Sequence, residues 1–205
     1  MNYFVTAIGT DSGKTLISAI LTEALQADYW KPIQSGKENR DVEVIAKLIN
    51  NGHSFCYEES YLLTLPLSPH IAAKADGIKI NLDTILLPQN NGNNLVIEGA
   101  GGVLVPLNDK DFVIDVAAKF DAEIILVSNN YLGSINHTLL TIQELKRRNL
   151  KVKGIIFNGK SSPETEEIIL KHSGYKCLLR VLPEEIINQE IVTQYAIKLF
   201  ENWDE

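Results

Sequence analysis

Short runs of apolar residues alternate with longer amphipathic stretches along this chain. Such apolar runs are typical of buried strands, whereas an apolar residue at every third or fourth position is typical of a helix. We predict strands at Tyr3–Thr6, Tyr29–Pro32, Leu95–Ile97, Ile124–Val127, Gly154–Phe157 and Leu178–Leu182. We predict helices at Lys14–Ala27, Asp41–Asn50, Ser134–Arg148, Ser162–Lys171 and Asn188–Trp203. Strands and helices therefore alternate over most of the chain.

This alternation predicts the fold class. Strands that are apolar throughout indicate a sheet covered by helices on both faces, and repeated βαβ units are right-handed. We therefore expect an α/β fold with three layers and a doubly wound, mostly parallel sheet. The segment Ser54–Ile80 shows no clear period and is expected to be irregular, and Gln89–Asn94 is expected to be a surface loop. The length of 205 residues suits one domain spanning residues 1–205.

Composition and charge exclude several classes of protein. Hydrophobic residues make up 45% and charged residues 22% of the chain, which is ordinary for a globular protein. A formal net charge of −7 argues against a broad nucleic-acid surface, although one loop can still bind a phosphorylated small molecule. Cys56 and Cys177 have no spacing typical of a metal or disulfide site. Without a signal peptide or a long apolar run, we expect a cytoplasmic protein with no membrane segment.

The sharpest motif is the loop Gly9–Thr15, which lies between a predicted strand and a predicted helix. This context is typical of a phosphate-binding P-loop, in which backbone N–H groups and the helix N-terminus face phosphate oxygens. Lys14 is then expected to neutralise phosphate charge and Thr15 to hold Mg²⁺. The loop departs from the usual GxxxxGK[ST] pattern, because Ile8 stands at the position of the first glycine. The predicted fold is accordingly of the P-loop NTPase type.

Two further groups of residues lie at the ends of predicted strands or directly after them. Glu98 ends an apolar strand and precedes Gly99–Gly102, at the sheet edge where open α/β folds bind ligands. It is either a ligand of Mg²⁺ or a surface acid. Lys31 is either a cation that stabilises a transferred phosphoryl group or a solvated lysine. Asp41 is either a metal ligand or a helix N-cap, and the local sequence leaves these alternatives open.

Taken together, these motifs resemble the dethiobiotin synthetase family. The likeness runs over most of the chain and is carried by YFVT before the GKT loop, WKPIQSG, NRD, SPHIAA, VIEGAGG, LGSINHTLLT and GIIFNG. Counting back from Gly13 places Ala7 at the first glycine of the family's loop and Asp11 at an acidic family position. The segment between Gly36 and Asp41 is shorter than is common in the family. The resemblance implies an ATP-dependent cyclo-ligase of biotin synthesis, acting on 7,8-diaminopelargonic acid and CO₂.

The resemblance also implies roles for individual residues. The catalytic residues would be Lys14 and Lys31. The nucleotide would be bound by Asp11, Ser12, Gly13, Lys14, Thr15, Asn158, Pro183 and Glu184. The diamine would be bound by Ser35, Gly99, Ala100, Gly101, Gly102, Gly133 and Asn136, and Mg²⁺ by Thr15, Asp41 and Glu98. The family is a homodimer with the substrate at the subunit interface, so Gly133 and Asn136 would meet a substrate carboxylate from the neighbouring chain. For Asn136 an ordinary first-turn role stays open, and His70 is either near substrate or structural.

Three other functions are compatible with the P-loop. A switch ATPase of the chromosome- or septum-partitioning kind carries a signature lysine five residues before the P-loop lysine, where this chain has Gly9. A GTPase typically reads guanine with NKxD, whereas this chain has Asn158-Gly159-Lys160-Ser161. A non-catalytic binding domain would have no need of Lys14, Thr15, Lys31, Asp41 and Glu98 together. The sequence therefore favours the ligase.

Overall fold

The computed structural model describes residues 1–89 and 92–203, so two residues of the predicted Gln89–Asn94 loop, Asn90 and Asn91, lie outside it. The strands are β1 (Asn2–Ala7), β2 (Asp28–Trp30), β3 (Ile33–Ser35), β4 (Cys56–Tyr57), β5 (Tyr61–Leu63), β6 (Leu95–Gly102), β7 (Glu123–Asn129), β8 (Val152–Asn158) and β9 (Cys177–Val181). The helices are α1 (Lys14–Leu25), α2 (Asp41–Leu48), α3 (Pro69–Ala75), α4 (Val113–Lys119), α5 (Ser134–Arg147), α6 (Pro163–Ser173) and α7 (Gln189–Glu201). A short 3-10 helix covers Leu82–Thr84.

Seven strands form one sheet in the order β4-β2-β6-β1-β7-β8-β9, and every neighbouring pair is parallel. The strands β3 and β5 form a separate two-stranded parallel sheet. The chain leaves β6 on one side of β1 and returns as β7 on the other side. Ligands of open α/β folds bind at such a reversal, beyond the carboxyl ends of the strands.

Helices cover both faces of the large sheet. On one face, Ile17, Ile20 and Leu21 of α1 pack with residues of α2 and α7 in one buried cluster. On the other face, a second cluster joins the sheet to α3, α4, α5 and α6. The strands are buried from both sides, which explains their uninterrupted apolar sequences. The predicted three-layer, doubly wound α/β fold is confirmed.

The prediction for Ser54–Ile80 was wrong. This segment contains β4, β5 and α3 rather than irregular chain. The strands have only two and three residues, so they are too short to show a period in the sequence. The helix α3 has seven residues and begins with Pro69 in its first turn, which is a favourable position for proline. The helix α4 and the strand β3 also lay outside the predicted elements.

The strand carrying Glu98 is also longer than predicted. It continues from Leu95 to Gly102 rather than stopping at Ile97, so Glu98 lies inside β6. Val5 of β1 lies opposite Glu98 and Ala7 lies opposite Gly102, so β6 has a bulge between these two pairs. Gly101 within this bulge has a φ of 72°, which favours glycine. The bulge brings Gly102 beside the start of the predicted phosphate loop.

Candidate active site

The predicted phosphate loop connects β1 directly to α1. Asp11 and Gly13 carry the positive φ angles of the loop, 55° and 89°, and Gly13 is the N-cap of α1. Ala7 is instead a buried residue at the end of β1 and has no positive φ. An alanine at that position therefore needs no backbone freedom that only glycine has.

Lys14 folds back over this loop. Its Nζ donates to the backbone carbonyl of Gly9 at 3.2 Å, and the side chain of Ser12 donates to the same carbonyl at 3.2 Å. Burial lowers the pKa of Lys14, against the opposing effect of the Glu98 charge. A partly desolvated ammonium group beside exposed backbone amides is suited to a phosphate group.

A second cation lies between two carboxylates. The Nζ of Lys31 donates to Glu98 Oε1 at 3.1 Å and also pairs with Asp41. Burial alone would lower the pKa of Lys31, but the charges of Glu98 and Asp41 outweigh it and raise that pKa. Lys31 therefore stays protonated, so a buried positive charge lies next to the phosphate loop.

Thr15 joins the same cluster from the first turn of α1. Its hydroxyl lies 2.9 Å from Asp41 Oδ1 and 3.2 Å from Glu98 Oε1. The hydroxyl of Tyr29 also donates to Glu98 Oε2, at 3.1 Å. Burial, and then the charge of Glu98, raises the pKa of Tyr29 well above its usual value. Glu98, itself only 1% exposed, is thus hydrogen-bonded through both oxygens.

The donor set of this cluster fits Mg²⁺. A hydroxyl and two carboxylates offer only oxygen atoms, which are the ligands that Mg²⁺ prefers. Within residues 1–89 and 92–203, no three His, Cys, Asp or Glu side chains form a metal-binding group. An ion held by two carboxylates needs further oxygens, and magnesium sites on nucleotides take these from phosphates and water. Thr15, Asp41 and Glu98 therefore fit a metal that arrives with a nucleotide.

These side chains surround one cavity of about 800 Å³ at the carboxyl ends of β1, β2 and β6. The cavity brings together ten of the predicted site residues: Asp11, Gly13, Lys14, Thr15, Lys31, Ser35, Asp41, Glu98, Ala100 and Gly101. It is also lined by Thr10, Gln34, Ser68 and Pro69, to which the sequence analysis gave no role. The SPH block was a signal for the last two, because it contributed to the family resemblance. His70 of that block is exposed and does not line the cavity.

Some of the other predicted residues lie beside this cavity. Asn158, at the end of β8, donates from Nδ2 to the carbonyl of Ser12 at 2.9 Å. This contact leaves no room for a side chain at position 13, where a Cβ would lie 2.2 Å from Nδ2. Ser12 itself is buried beneath the loop. Gly99 faces Phe4 and Val113 in the core, so its carbon cannot contact substrate from that side.

The remaining predicted residues lie farther along the sheet edge. Pro183 and Glu184 follow β9, and Glu184 accepts a hydrogen bond from the hydroxyl of Tyr195 at 2.6 Å. Gly133 is the N-cap of α5, with a φ of 104°, and Asn136 lies in the first turn of that helix. Neither Gly133 nor Asn136 lines the 800 Å³ cavity. The described chain therefore does not bring these two residues to the cation cluster.

An ion pair with a buried carboxylate, which the sequence did not reveal, supports the loop after β8. Glu166, only 2% exposed, pairs with Arg180 and accepts a hydrogen bond from the Asn130 amide at 3.1 Å. That amide also donates to the carbonyl of Lys160 at 3.0 Å. These contacts tie α6, β9 and the β7–α5 connection together. Their members are far apart in the chain, so no local motif indicated them.

Comparison with known proteins identifies the family. A protein from Cytophaga hutchinsonii named ATP-dependent dethiobiotin synthetase BioD is 64% identical over 203 residues, which cover 99% of this chain and 98% of that protein. A protein of the same name from Christiangramia forsetii is 48% identical, covering 96% of this chain and 95% of that protein. Residues 1–190 also match the model of a family described as AAA domain. The chain belongs to this AAA-domain family and, within it, to the dethiobiotin synthetases.

This member of the dethiobiotin synthetase family also resembles solved structures in its fold. The cell division ATPase MinD of Pyrococcus furiosus superposes with a TM-score of 0.61 at 16% identity, covering 98% of each chain. The septum site-determining protein MinD of Pyrococcus horikoshii gives 0.58 at 14% identity, covering 100% of this chain and 97% of that one. At such low identity the likeness shows the fold alone. The predicted P-loop NTPase fold is thereby confirmed.

The sequence predicts no membrane segment. Among the helices of residues 1–89 and 92–203, none has both the length and the apolar composition to cross a bilayer. The cytoplasmic location stays a prediction.

Proposed function

We propose that this chain converts 7,8-diaminopelargonic acid, CO₂ and ATP into dethiobiotin, ADP and phosphate, as a single domain spanning residues 1–205. One observation carries the proposal. Two buried lysines, Lys14 and Lys31, converge with Thr15, Asp41 and Glu98 on one cavity at the carboxyl edge of the sheet. Such a site can bind a triphosphate and a second anion together, which is what this reaction requires.

The reaction joins two anions. One amine of the substrate captures CO₂ as a carbamate and releases a proton. A carbamate oxygen then attacks the γ-phosphorus of ATP, and ADP leaves. The second amine attacks the carbon of the resulting mixed anhydride, which closes the cyclic urea and releases phosphate and a proton. No protein nucleophile is needed, so the contribution of the protein is positioning and charge stabilisation.

The phosphate side of the site is assigned to the loop and its lysine. The backbone amides of Asp11, Ser12 and Gly13 directly precede α1, whose N-terminus stabilises anions. Lys14 neutralises the phosphates, and Lys31 faces the carbamate and the transferred phosphoryl group. Because both lysines are buried, their charges are less screened than those of surface lysines.

We assign a magnesium site to Thr15, Asp41 and Glu98. When bound, Mg²⁺ supplies positive charge that offsets the repulsion between triphosphate and carbamate. The side chains of these residues are already in mutual contact, so little rearrangement is needed to present their oxygens to a cation. Lys31 pairs with both carboxylates and offsets part of the repulsion between them.

The substrate side is assigned to Ser35 and to Gly99–Gly102. Within residues 1–89 and 92–203, the hydroxyl oxygen of Ser35 is buried beside the cavity and has no hydrogen-bond partner. A buried hydroxyl in that state is stabilised by a ligand that supplies a partner. The amines of the substrate have the N–H groups to do so. The bulged backbone at Ala100 and Gly101 contributes further polar groups to the same wall.

The adenine is assigned to Asn158, Pro183 and Glu184. Asn158 is bonded to the phosphate loop, and the chain after β9 lies beside it because Val181 is its neighbour in the sheet. The base would therefore lie between the ends of β8 and β9, with its phosphates directed toward the loop after β1.

We also propose a homodimer in which Gly133 and Asn136 bind the substrate carboxylate from the partner chain. These residues open α5, whose N-terminus is suited to an anion. The surrounding surface carries large exposed apolar side chains, including Tyr131, Leu132 and Leu140, of which Leu132 is fully exposed. Clusters of this kind mark protein interfaces.

The function is tested by a mass-spectrometric assay for the cyclic urea with ATP, Mg²⁺, the diamine and bicarbonate. We expect product and phosphate to form in equal amounts and only when all components are present. Phosphate release without the diamine would instead favour a switch ATPase. Absence of the cyclic urea under every condition would contradict the ligase.

A further inference from the structure

Tyr29 is a fully buried tyrosine of β2 for which the reaction scheme above has no role. Its hydroxyl donates to Glu98 Oε2 at 3.1 Å, although the two residues are 69 positions apart in the chain. Buried phenols commonly find a polar partner, but this partner is a carboxylate of the proposed metal site. This hydrogen bond therefore connects the interior of the sheet to the proposed metal site.

The sheet register explains why the two side chains meet. Tyr29 of β2 lies opposite Val96 of β6. Side chains two residues apart on a strand share a face, so Val96 and Glu98 point to the same side of the sheet. The side chain of Tyr29 extends along that face to the next residue, and its hydroxyl lies 3.1 Å from Glu98 Oε2. The strand pairing thus places the hydroxyl beneath the carboxylate.

The two oxygens of Glu98 have different partners. Oε1 meets Thr15 and Lys31 on the cavity side, at 3.2 and 3.1 Å, whereas within residues 1–89 and 92–203 the hydrogen-bond donor to Oε2 is Tyr29. The terminal torsion of a glutamate is broad and leaves the carboxylate free to rotate. Thr15 and Lys31 both contact Oε1, so these two contacts leave the position of Oε2 to its own partner. That partner, Tyr29, belongs to the neighbouring strand β2 of the sheet.

We propose that Tyr29 is a positioning residue that holds Glu98 with Oε1 toward the cavity, and so raises the affinity of the site for Mg²⁺ with a nucleotide. The inference rests on the proposed magnesium site. Side chains that hydrogen-bond to metal ligands orient those ligands, and removing such a side chain commonly lowers metal affinity or activity. Tyr29 differs from them in being supplied by a neighbouring strand of the sheet.

The test compares two tyrosine-to-phenylalanine variants. Tyr29→Phe removes the hydroxyl and keeps the ring. Tyr57→Phe is the matched control, because Tyr57 lies opposite Trp30 on the adjacent strand β4 and donates to the carboxylate of Asp28 at 3.0 Å, away from the cavity. Asp28 keeps the backbone N–H of Phe55 as a donor. Binding of ADP to each full-length protein is measured by calorimetry over a series of MgCl₂ concentrations and in EDTA.

For Tyr29→Phe we expect the apparent affinity for Mg²⁺ to fall about tenfold or more. ADP binding in EDTA should be unchanged, and Tyr57→Phe should match the native protein in both measurements. Unchanged Mg²⁺ dependence in Tyr29→Phe would overturn the inference, as would an equal loss in both variants. A native protein whose ADP binding ignores Mg²⁺ would overturn the metal site, and this inference with it.

A second comparison tests whether Tyr29 acts through Glu98. Glu98→Gln removes the charge on which Tyr29 is proposed to act. In that background, adding Tyr29→Phe should change ADP affinity in excess MgCl₂ by less than about twofold, because residues that act through one another are not additive. A further large loss would show that Tyr29 acts independently of Glu98 and would overturn the proposal.

Discussion

The two halves of the sheet edge are built differently. The cation half is formed by Lys14, Thr15, Lys31, Asp41 and Glu98, and within it Thr15 and Lys31 each contact both Asp41 and Glu98. The base half is formed by Asn158, Pro183 and Glu184 after β8 and β9, and its ion pair, between Glu166 and Arg180, instead supports the loop after β8. In the cation half, structure and proposed chemistry therefore use the same groups.

This difference predicts how far mutations can be separated into effects on stability and effects on activity. Removing one charge from the cation half leaves its partners uncompensated, so both properties should change together. In the base half, the residues proposed to contact adenine are Asn158, Pro183 and Glu184. The ion pair that supports the loop after β8 is formed by other residues, Glu166 and Arg180. Substitutions there should affect one property at a time.

The largest effect is expected for Lys31→Gln. The substitution removes the charge that faces the carbamate, and kcat should fall about 100-fold or more. Asp41 and Glu98 lose their shared cation, so the melting temperature without ligand should also fall, and MgCl₂ should restore more of it than in the native protein. Steady-state kinetics and thermal denaturation measure both.

Lys79→Gln is the matched control for Lys31→Gln, since Lys79 is largely exposed and pairs with the exposed Asp109. Its kcat and melting temperature should stay near native values, because exposed ion pairs contribute little. Near-native turnover in Lys31→Gln would remove Lys31 from the mechanism.

A smaller effect is expected for Asn158→Ala in the base half. The variant loses the amide that bonds to the carbonyl of Ser12 and that is proposed to contact adenine. We expect KM for ATP to rise about five- to tenfold, which corresponds to about one hydrogen bond of 1 kcal/mol. The value of kcat should change little, because no charge near the reacting atoms is lost. Initial-rate kinetics at varied ATP distinguishes the two parameters.

Asn202→Ala provides the comparison, because its amide donates to the carbonyl of Lys198 at the end of α7, away from the cavity. Both kinetic parameters should match those of the native protein. A fall in kcat as large as that of Lys31→Gln would show that the base half is not separable from the chemistry.

The cation half was also the half that the sequence predicted better. Lys14, Thr15, Lys31, Asp41 and Glu98 lie at or near the ends of predicted strands or starts of predicted helices, and parallel strands bring such positions to one edge. The hydroxyl of Tyr29 and the ion pair of Glu166 with Arg180 were not predicted, because each contact joins separate segments. No periodicity marks a single long-range hydrogen bond.

The fold shows the same division. Long elements such as α1 and β7 were predicted to within a few residues, because burial of one stripe or of a whole strand leaves a repeating pattern. The strands β3 and β5 have three residues each and pair only with each other, so neither shows a repeat. The extension of β6 to Gly102 depends on pairing with β1 across a bulge, which the glycine-rich sequence of that segment does not indicate.

The smallest effect is expected for Arg180→Met, which tests the support behind the base half. The side chain of Arg180 is about half exposed, whereas that of Glu166 is buried and keeps the Asn130 amide as a donor. Solvent screening on the arginine side limits the loss, so the free energy of unfolding in urea should fall by about 1 kcal/mol. KM for ATP and kcat should stay within about twofold of native values, since a loss of this kind at a distant site rarely couples to the chemistry. Adding Glu166→Gln to Arg180→Met removes the uncompensated carboxylate and should recover part of the lost stability. A kinetic defect in Arg180→Met without a change in stability would mean that the ion pair contacts the nucleotide site directly, and the separation between support and ligand binding in the base half would then be wrong.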